Sequence, residues 1–262
     1  MSEAIVTGLA VAAVKGTRLH AVEQIELAAH GARGNRAFYV IDARGRMLNG
    51  KQLGQLQAVV ASFDPVAGEL GLTFPDGGAV RGIVRYGDKI ATRFFSLELW
   101  ARPLEGPWAD ALSEFAGRSL RLVEAGTAVD RGRRGAVSVI SRASMRRLAE
   151  EAGEDEVDVR RFRMLVEIDG VAAHEEDRWV GQRVRLGPAV VAMHGHVGRC
   201  LVTSRDPDTG EITLPTLDLL GNYRHDVDTT EPLPFGVYGE VLAPGTVSVG
   251  DAVALDGRLP SA

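Results

Sequence analysis

The chain has 262 residues, a net charge of −5, 45% apolar residues and 25% charged residues. That length suits one large domain or two of ordinary size, and the apolar fraction supports a substantial core. The acidic balance creates no global basic field, which argues against nucleic acid or an anionic membrane as partner. One cysteine, Cys200, allows no internal disulfide and no iron–sulfur cluster, which usually needs four ligands; intracellular, cytoplasmic life is the expectation. The N-terminus lacks the basic start and long apolar run of a secretory signal, and no stretch approaches the ~18 apolar residues of a spanning helix.

Taken in order, residues 5–14 are small, apolar and partly β-branched, and 22–27 alternate as a strand does. Residues 37–41 form a nearly continuous apolar run suited to a buried strand. Further short strands are expected over 56–63, 70–74 and 79–84, with turn signals at Asp42-Ala43-Arg44-Gly45, Asp64-Pro65, Pro75-Asp76-Gly77-Gly78 and Tyr86-Gly87-Asp88. Turns about every ten residues with few helical stretches predict an all-β barrel or sandwich, and residues 1–95 read as a compact β-rich domain. Over 107–116, Trp108, Ala111, Leu112 and Phe115 fall at helical spacing, and Gly117 can end the helix. A strand over 120–123, a polar loop over 125–135 carrying Arg131, Arg133 and Arg134, and a strand over 137–140 follow. A second helix over 145–152 takes Ser141 or Ser144 as N-cap. Strands over 162–168, 179–186, 189–193, 236–242 and 247–254 complete a second, mostly β part, residues 96–262.

The stretch around the lone cysteine is the most informative. Cys200 precedes Leu201, Val202 and Thr203, which favour a strand. Asp206-Pro207-Asp208-Thr209-Gly210 then supplies turn chemistry, so a hairpin with Cys200 near one end is expected. Arg199 stands beside the thiol, and a neighbouring cation favours thiolate, the form that binds metals. His194 and His196, two apart on a strand, would share a face and with Cys200 suggest zinc; the plainer alternative makes them polar residues lining a pocket.

The wording R-C-x-V-T-x-x-D-P-D-T-G, from Arg199 to Gly210, resembles the signature of the MOSC domain, shared with the mitochondrial amidoxime-reducing proteins and their bacterial relatives. In that family this cysteine ligates molybdenum. The resemblance runs from about Gly8 to Leu255 and implies an N-terminal β-barrel domain (1–95) followed by a MOSC β-barrel domain (96–262). Val14-Lys15-Gly16-Thr17-Arg18 is similar to the phrase whose lysine and serine hold the cofactor phosphate. Lys15 is retained, and Gly16 replaces the serine but still offers a backbone amide. Asn35-Arg36-Ala37 stands for the family's D-R-F, making Arg36 the matching phosphate-binding arginine. Arg161-Phe162-Arg163 matches R-F-R, placing Arg163 on the cofactor, while Met164 and Leu165 replace the family's Pro-Asn. Glu176-Asp177-Arg178-Trp179 resembles a structural corner. Phe235-Gly236-Val237-Tyr238 resembles F-G-x-Y, whose tyrosine lines the cofactor. Gly198 and Arg199, leading into Cys200, complete the implied cofactor-binding set.

The resemblance implies a molybdenum-cofactor (Mo-molybdopterin) oxidoreductase that reduces N-hydroxylated small-molecule substrates. Cys200 would be the metal ligand and catalytic centre, with electrons from a separate electron-donor protein. Two alternatives stay open: a cofactor or sulfur carrier working through Cys200, and a member that has lost the metal, given Gly16, Asn35, Met164 and Leu165.

Overall fold

The computed structural model describes residues 4–126 and 132–259; Arg131 and its neighbours 127–131, within the polar loop, lie outside the described residues. Strand content of 43% against 20% helix makes the fold mostly β, as the turn spacing predicts.

Its organising element is a closed barrel of seven strands: β1 (Ala4–Val11), β2 (Val137–Ser141), β3 (Val166–Asp169), β4 (Gln182–Leu186), β5 (Ala189–Gly198), β6 (Pro234–Ala243) and β7 (Ala252–Arg258). Around the wall the order is β3-β2-β6-β5-β4-β7-β1, and β1 pairs with β3 to close it. Closure removes the exposed edges that an open sheet would present. Only the β2–β3 pair in this wall is parallel, and a parallel pair needs a long crossover. Helix α2 (Arg142–Ala152) supplies it. Its N-terminus is capped by the Ser141 hydroxyl, which accepts from the Ser144 amide at 3.1 Å, and Gly153 ends it in a left-handed conformation. Inside the barrel, Val6, Leu9, Val139, Ile168, Val184, Val191, Met193 and Val237 form a continuous apolar filling.

Residues 38–124 build smaller sheets over a second core. The strand Phe38–Asp42 lies between Leu120–Glu124 and Met47–Leu48. Val60–Asp64, Glu69–Thr73 and Ala79–Ile83 make a meander, and Ile90–Phe94 with Leu97–Ala101 makes a hairpin. Helix α1 (Trp108–Ala116) drives Trp108 and Leu112 into this core, where the Trp108 indole donates to the Leu70 carbonyl at 3.1 Å. Gly117 ends it at φ +63°, as expected. No helix among the described residues is long and apolar enough to cross a membrane.

Three local expectations are corrected. Residues 201–204 form a 3₁₀ turn, not a strand: the Thr203 amide and hydroxyl both turn back to the Cys200 carbonyl at 3.0 Å. The hairpin is thereby reduced to a single bridge between Arg205 and Ile212, although the Asp206–Gly210 turn is present, with Asp206 Oδ1 accepting from the Asp208 and Thr209 amides. Residues 162–165 likewise precede the strand, because Phe162 closes a 3₁₀ turn and Arg163 follows it at φ +55°. A third helix, α3 (Thr216–Tyr223), occupies what reads as loop; it is held by burial of Leu220 beside Leu148 and Phe235.

Behind α2 and α3 sits a polar knot. Glu176 is fully buried and accepts from the Ser141 amide at 3.1 Å and the Ser144 hydroxyl at 2.7 Å, so the Glu-Asp-Arg-Trp corner clamps the start of α2. His174 lies against the rings of Tyr223 and Phe235, near the buried Arg224–Asp177 pair. Burial, aided by the Arg224 charge, pushes the His174 imidazole down to about 4, while burial raises the Glu176 carboxyl. A histidine held neutral in the fold contributes stability above its unfolded value of 6.5, and that contribution is lost as pH falls from 6.5 through 4. Glu176 acts in the opposite sense, so the difference between two proteins isolates the histidine. Wild type is expected to lose about 3 kcal/mol relative to His174→Asn between pH 6.5 and 4, read from denaturant midpoints; parallel pH profiles would show that the imidazole is not held neutral.

Candidate functional site

Three chain segments that the sequence keeps far apart converge beside the open end of β5. The first runs from β1 to Arg18. Lys15 is fixed by its backbone amide, which donates to the Phe38 carbonyl at 2.8 Å, and its ammonium sits 5.6 Å from the ring centroids of both Phe94 and Phe95. Gly16 follows at φ +95°, a conformation glycine adopts without steric cost. The second segment carries Arg36, whose amide donates to the Ala12 carbonyl at 2.7 Å while Asn35 Oδ1 accepts from the Ala12 amide at 3.1 Å. The third carries Arg163.

Arg36 and Arg163 interlock. The Arg36 guanidinium donates to the Arg163 carbonyl at 2.7 Å, and the Arg163 guanidinium donates to the Thr17 carbonyl at 2.7 Å. Both arginines have positive φ, +51° and +55°, a sparsely populated region that costs of order 1–3 kcal/mol and clusters at functional sites. Each guanidinium has five donors in a fixed fork, so these anchors fix the plane in which each group lies.

Gly198 ends β5, and beyond it Cys200 is half-buried with a free thiol. Arg199 is a strut as well as a lining residue. It donates to the Phe162 and Phe235 carbonyls, approaches the Met164 sulfur at 3.0 Å, and stacks its guanidinium over the Phe162 ring. Tyr238, on β6, pairs with Ser138 and Gly195 across the barrel wall. A Cβ on Gly195 would meet the Tyr238 hydroxyl at 2.7 Å, so the glycine makes room for that ring.

A cavity of about 320 Å³ opens where these elements meet, and Lys15, Gly16, Arg36, Arg163, Gly198, Arg199, Cys200 and Tyr238 all line it. The structure thus gathers every candidate residue around one space. It adds several that sequence reasoning passed over: Asn49, Gly50, Lys51, Phe95, Ser138 and Arg161. The Asn-Gly pair is a turn signal that could have drawn attention to Lys51; nothing local marks Phe95. Arg161 donates to Thr213 Oγ1 at 2.8 Å and the Ser204 carbonyl at 3.4 Å, holding the turn after the cysteine. Met164 and Leu165 are both buried, Leu165 within the barrel core.

Among the described residues, six basic side chains (Lys15, Arg36, Lys51, Arg161, Arg163, Arg199) and no carboxylate line this cavity, in a chain of net charge −5. Glu231 stands at the Gly198 end, accepting from the Gly198 amide at 3.1 Å, and the acids of the cysteine loop are used behind it. Asp208 pairs with Arg160 at 2.8 Å and with Arg18 at 3.3 Å, and the Arg160 guanidinium holds its carboxyl below the usual range. That clasp joins the two parts of the molecule behind the cysteine loop. Gly210, at φ +79°, meets the Gly54 backbone too closely to admit a side chain, closing the same seam.

His194 and His196 do not reach the cavity, contrary to the expectation that they line a pocket. His196 is buried and accepts from the Thr230 amide at 3.3 Å. His194 lies 3.5 Å from Glu240 on the neighbouring strand. Register shifts between Met193 and Gly195 and between His196 and Gly198 break the simple alternation that would have put both on one face with the thiol. Among the described residues no group of three His, Cys, Asp or Glu assembles as a metal site, so the zinc reading has no ligand set here.

The cavity suits a ligand that is anionic and carries a soft metal. Thiolate is a soft ligand, and the clustered cations complement phosphate. On these grounds the donor set fits a molybdenum pterin with a terminal phosphate.

Residues 126–254 match the family model described as the MOSC domain. Among solved structures, 96% of the chain aligns with 94% of the YuaD protein from Bacillus subtilis at 13% identity and a TM-score of 0.46. YiiM from Geobacillus stearothermophilus aligns over 48% of this chain and 56% of its own at 18% identity, TM-score 0.37. YiiM from Escherichia coli aligns over 50% and 58% at 21% identity, TM-score 0.36. No curated protein matches the sequence. The cysteine loop, the arginine of the third segment and five of the seven barrel strands fall wholly inside the matched span, and residues 126–254 of this chain are a MOSC domain.

Proposed function

We propose that the chain binds the molybdenum cofactor in this cavity and reduces N-hydroxylated small molecules there, with electrons delivered from outside these 262 residues. The observation that carries the reading is the gathering of charge in the cavity: among the described residues six cations converge on the space beside the one thiol of an acidic protein. A sulfur carrier needs the thiol alone and has no use for Lys15, Arg36 and Arg163 on the opposite wall.

In this reading Cys200 supplies the protein ligand to the metal, and Lys15, the Gly16 amide, Arg36 and Arg163 hold the phosphate end. Tyr238 and Met164 bound the space between them. When bound, the cofactor supplies two-electron removal of oxygen from nitrogen, while the protein contributes position and electrostatics. The interlocked arginines are oriented before any ligand arrives, so little reorganisation accompanies binding. A substrate enters from the side of Lys51 and Phe95, where the lining residues are exposed. The chain's single cysteine leaves no cysteine set for an iron–sulfur relay of its own.

Protein produced in a host that makes the cofactor is expected to hold about one molybdenum per chain, and Cys200→Ser to abolish benzamidoxime reduction with a chemical reductant. Stoichiometric metal without reduction would favour the carrier, and metal-free wild type would favour a member that has lost it. Arg36→Gln and Lys15→Gln each remove a charge-assisted contact worth about 1.5–3 kcal/mol. Cofactor retention on gel filtration should weaken roughly ten- to a hundredfold, more so at high salt; unchanged retention in both variants would remove the phosphate assignment.

A further inference from the structure

Next to the cavity lies a second recess of about 350 Å³, lined by Arg46, Met47, Asn49, Gln52, Arg93 and Phe95. Asn49 and Phe95 line both spaces, so the two are contiguous. Its construction is unfavourable for an empty surface. A bridge between the Arg46 and Arg93 backbones sets two like charges side by side, an arrangement that destabilises a sheet. Among the described residues neither guanidinium has a carboxylate partner. Glu98 stands opposite Arg93 across the hairpin without pairing with it, and Asp42 commits Oδ1 to the Arg44 and Arg46 amides. Phe95 is 54% exposed and held at φ +54°, a left-handed conformation that is an outlier for a bulky residue.

The neutral groups point the same way. Asn49 Oδ1 accepts from the Lys51 amide at 2.8 Å, and Gln52 Oε1 accepts from the Asn49 amide at 3.2 Å. With both oxygens engaged, these side chains can offer a ligand N–H donors. Two guanidiniums, two amide donors and one exposed ring complement an anion attached to a planar group.

We propose that this recess is a subsite for the anionic end of the substrate: a phosphate or carboxylate carried on an aromatic or heteroaromatic ring. The anion lies on Arg46 and Arg93, the ring against Phe95, and the remainder of the molecule extends toward Cys200. Only the last clause rests on the function proposed above, since anion binding here requires no metal.

The probe is phenyl phosphate, with benzyl alcohol as neutral comparison, titrated calorimetrically into the purified full-length chain. Wild type should bind phenyl phosphate, and Arg46→Gln/Arg93→Gln should bind it at least tenfold more weakly. Arg46→Lys/Arg93→Lys should retain part of the affinity, which separates charge from folding. Phe95→Leu should weaken phenyl phosphate but not inorganic phosphate, and Cys200→Ser should leave both unchanged. Equal affinity for benzyl alcohol, or loss of binding in Arg36→Gln with none in the Arg46/Arg93 double variant, overturns the subsite. Binding of an acidic protein through these arginines without small-anion binding overturns it too. Failure of the metal assignment leaves every one of these measurements interpretable.

Discussion

The crossed pair of hydrogen bonds from Arg36 to the Arg163 carbonyl and from Arg163 to the Thr17 carbonyl is what makes a site out of three remote segments. Bonds at Ala12–Arg36 and Lys15–Phe38 already join the loop after β1 to the loop before Phe38, and the crossed pair adds the 3₁₀ turn ahead of β3 to them. Each bond ends on a backbone carbonyl, so the geometry is set by the chain path and not by another flexible side chain. Both arginines occupy left-handed conformations, and such strain persists only where the surroundings over-determine it. Here they do: the Arg36 amide is held by Ala12, and the Arg163 amide by Arg160.

A second consequence concerns charge. Arginines drawn together in this way repel one another, and the carboxylates of the cysteine loop lie near enough in the chain to approach them. The acids of the cysteine loop are instead committed behind it. Asp206 organises its own turn, and Asp208 joins Arg160 to Arg18. The clasp therefore does two things at once. It fixes the cysteine loop against the N-terminal part, and it holds the Asp208 carboxylate on Arg160 and Arg18 and away from the six cations of the cavity.

Much of this was legible in the sequence, for identifiable reasons. Barrel strands such as Gln182–Leu186 show because they carry alternating or continuous apolar side chains. Helices α1 and α2 show because they carry periodic apolar residues and glycine ends. The 3₁₀ turn after Cys200 is concealed because Leu-Val-Thr favours a strand, and the decision is made by the Thr203 hydroxyl returning to the Cys200 carbonyl. Helix α3 is concealed by Pro215 before it and Gly221-Asn222 inside it; tertiary burial of Leu220 overrides those signals. The histidine pair misleads because residue alternation presumes an unbroken ladder, and β5 is shifted on both sides of His196. Lys51 and Phe95 reach the cavity only through the packing of a loop and a hairpin, which no local pattern encodes.

The departures from the family phrases are also explained differently at each position. Asn35 replaces an aspartate, yet its Oδ1 holds the Ala12 amide, a task that needs an acceptor and no charge. Leu165 has joined the barrel core, and its amide donates to the Ser138 hydroxyl at 3.0 Å. Met164 packs its methyl against Gly236, where an added Cβ would come within 2.7 Å, and sets its sulfur beside Arg199. Met164 thus lines the cavity beside a fixed Arg199, whereas Leu165 has left the lining for the barrel core, and the Lys15, Arg36 and Arg163 wall keeps its residues. A ligand bound here is therefore gripped from the N-terminal side and shaped from the barrel side, and changes at Met164 should alter what fits while changes at Arg36 alter how tightly it is held.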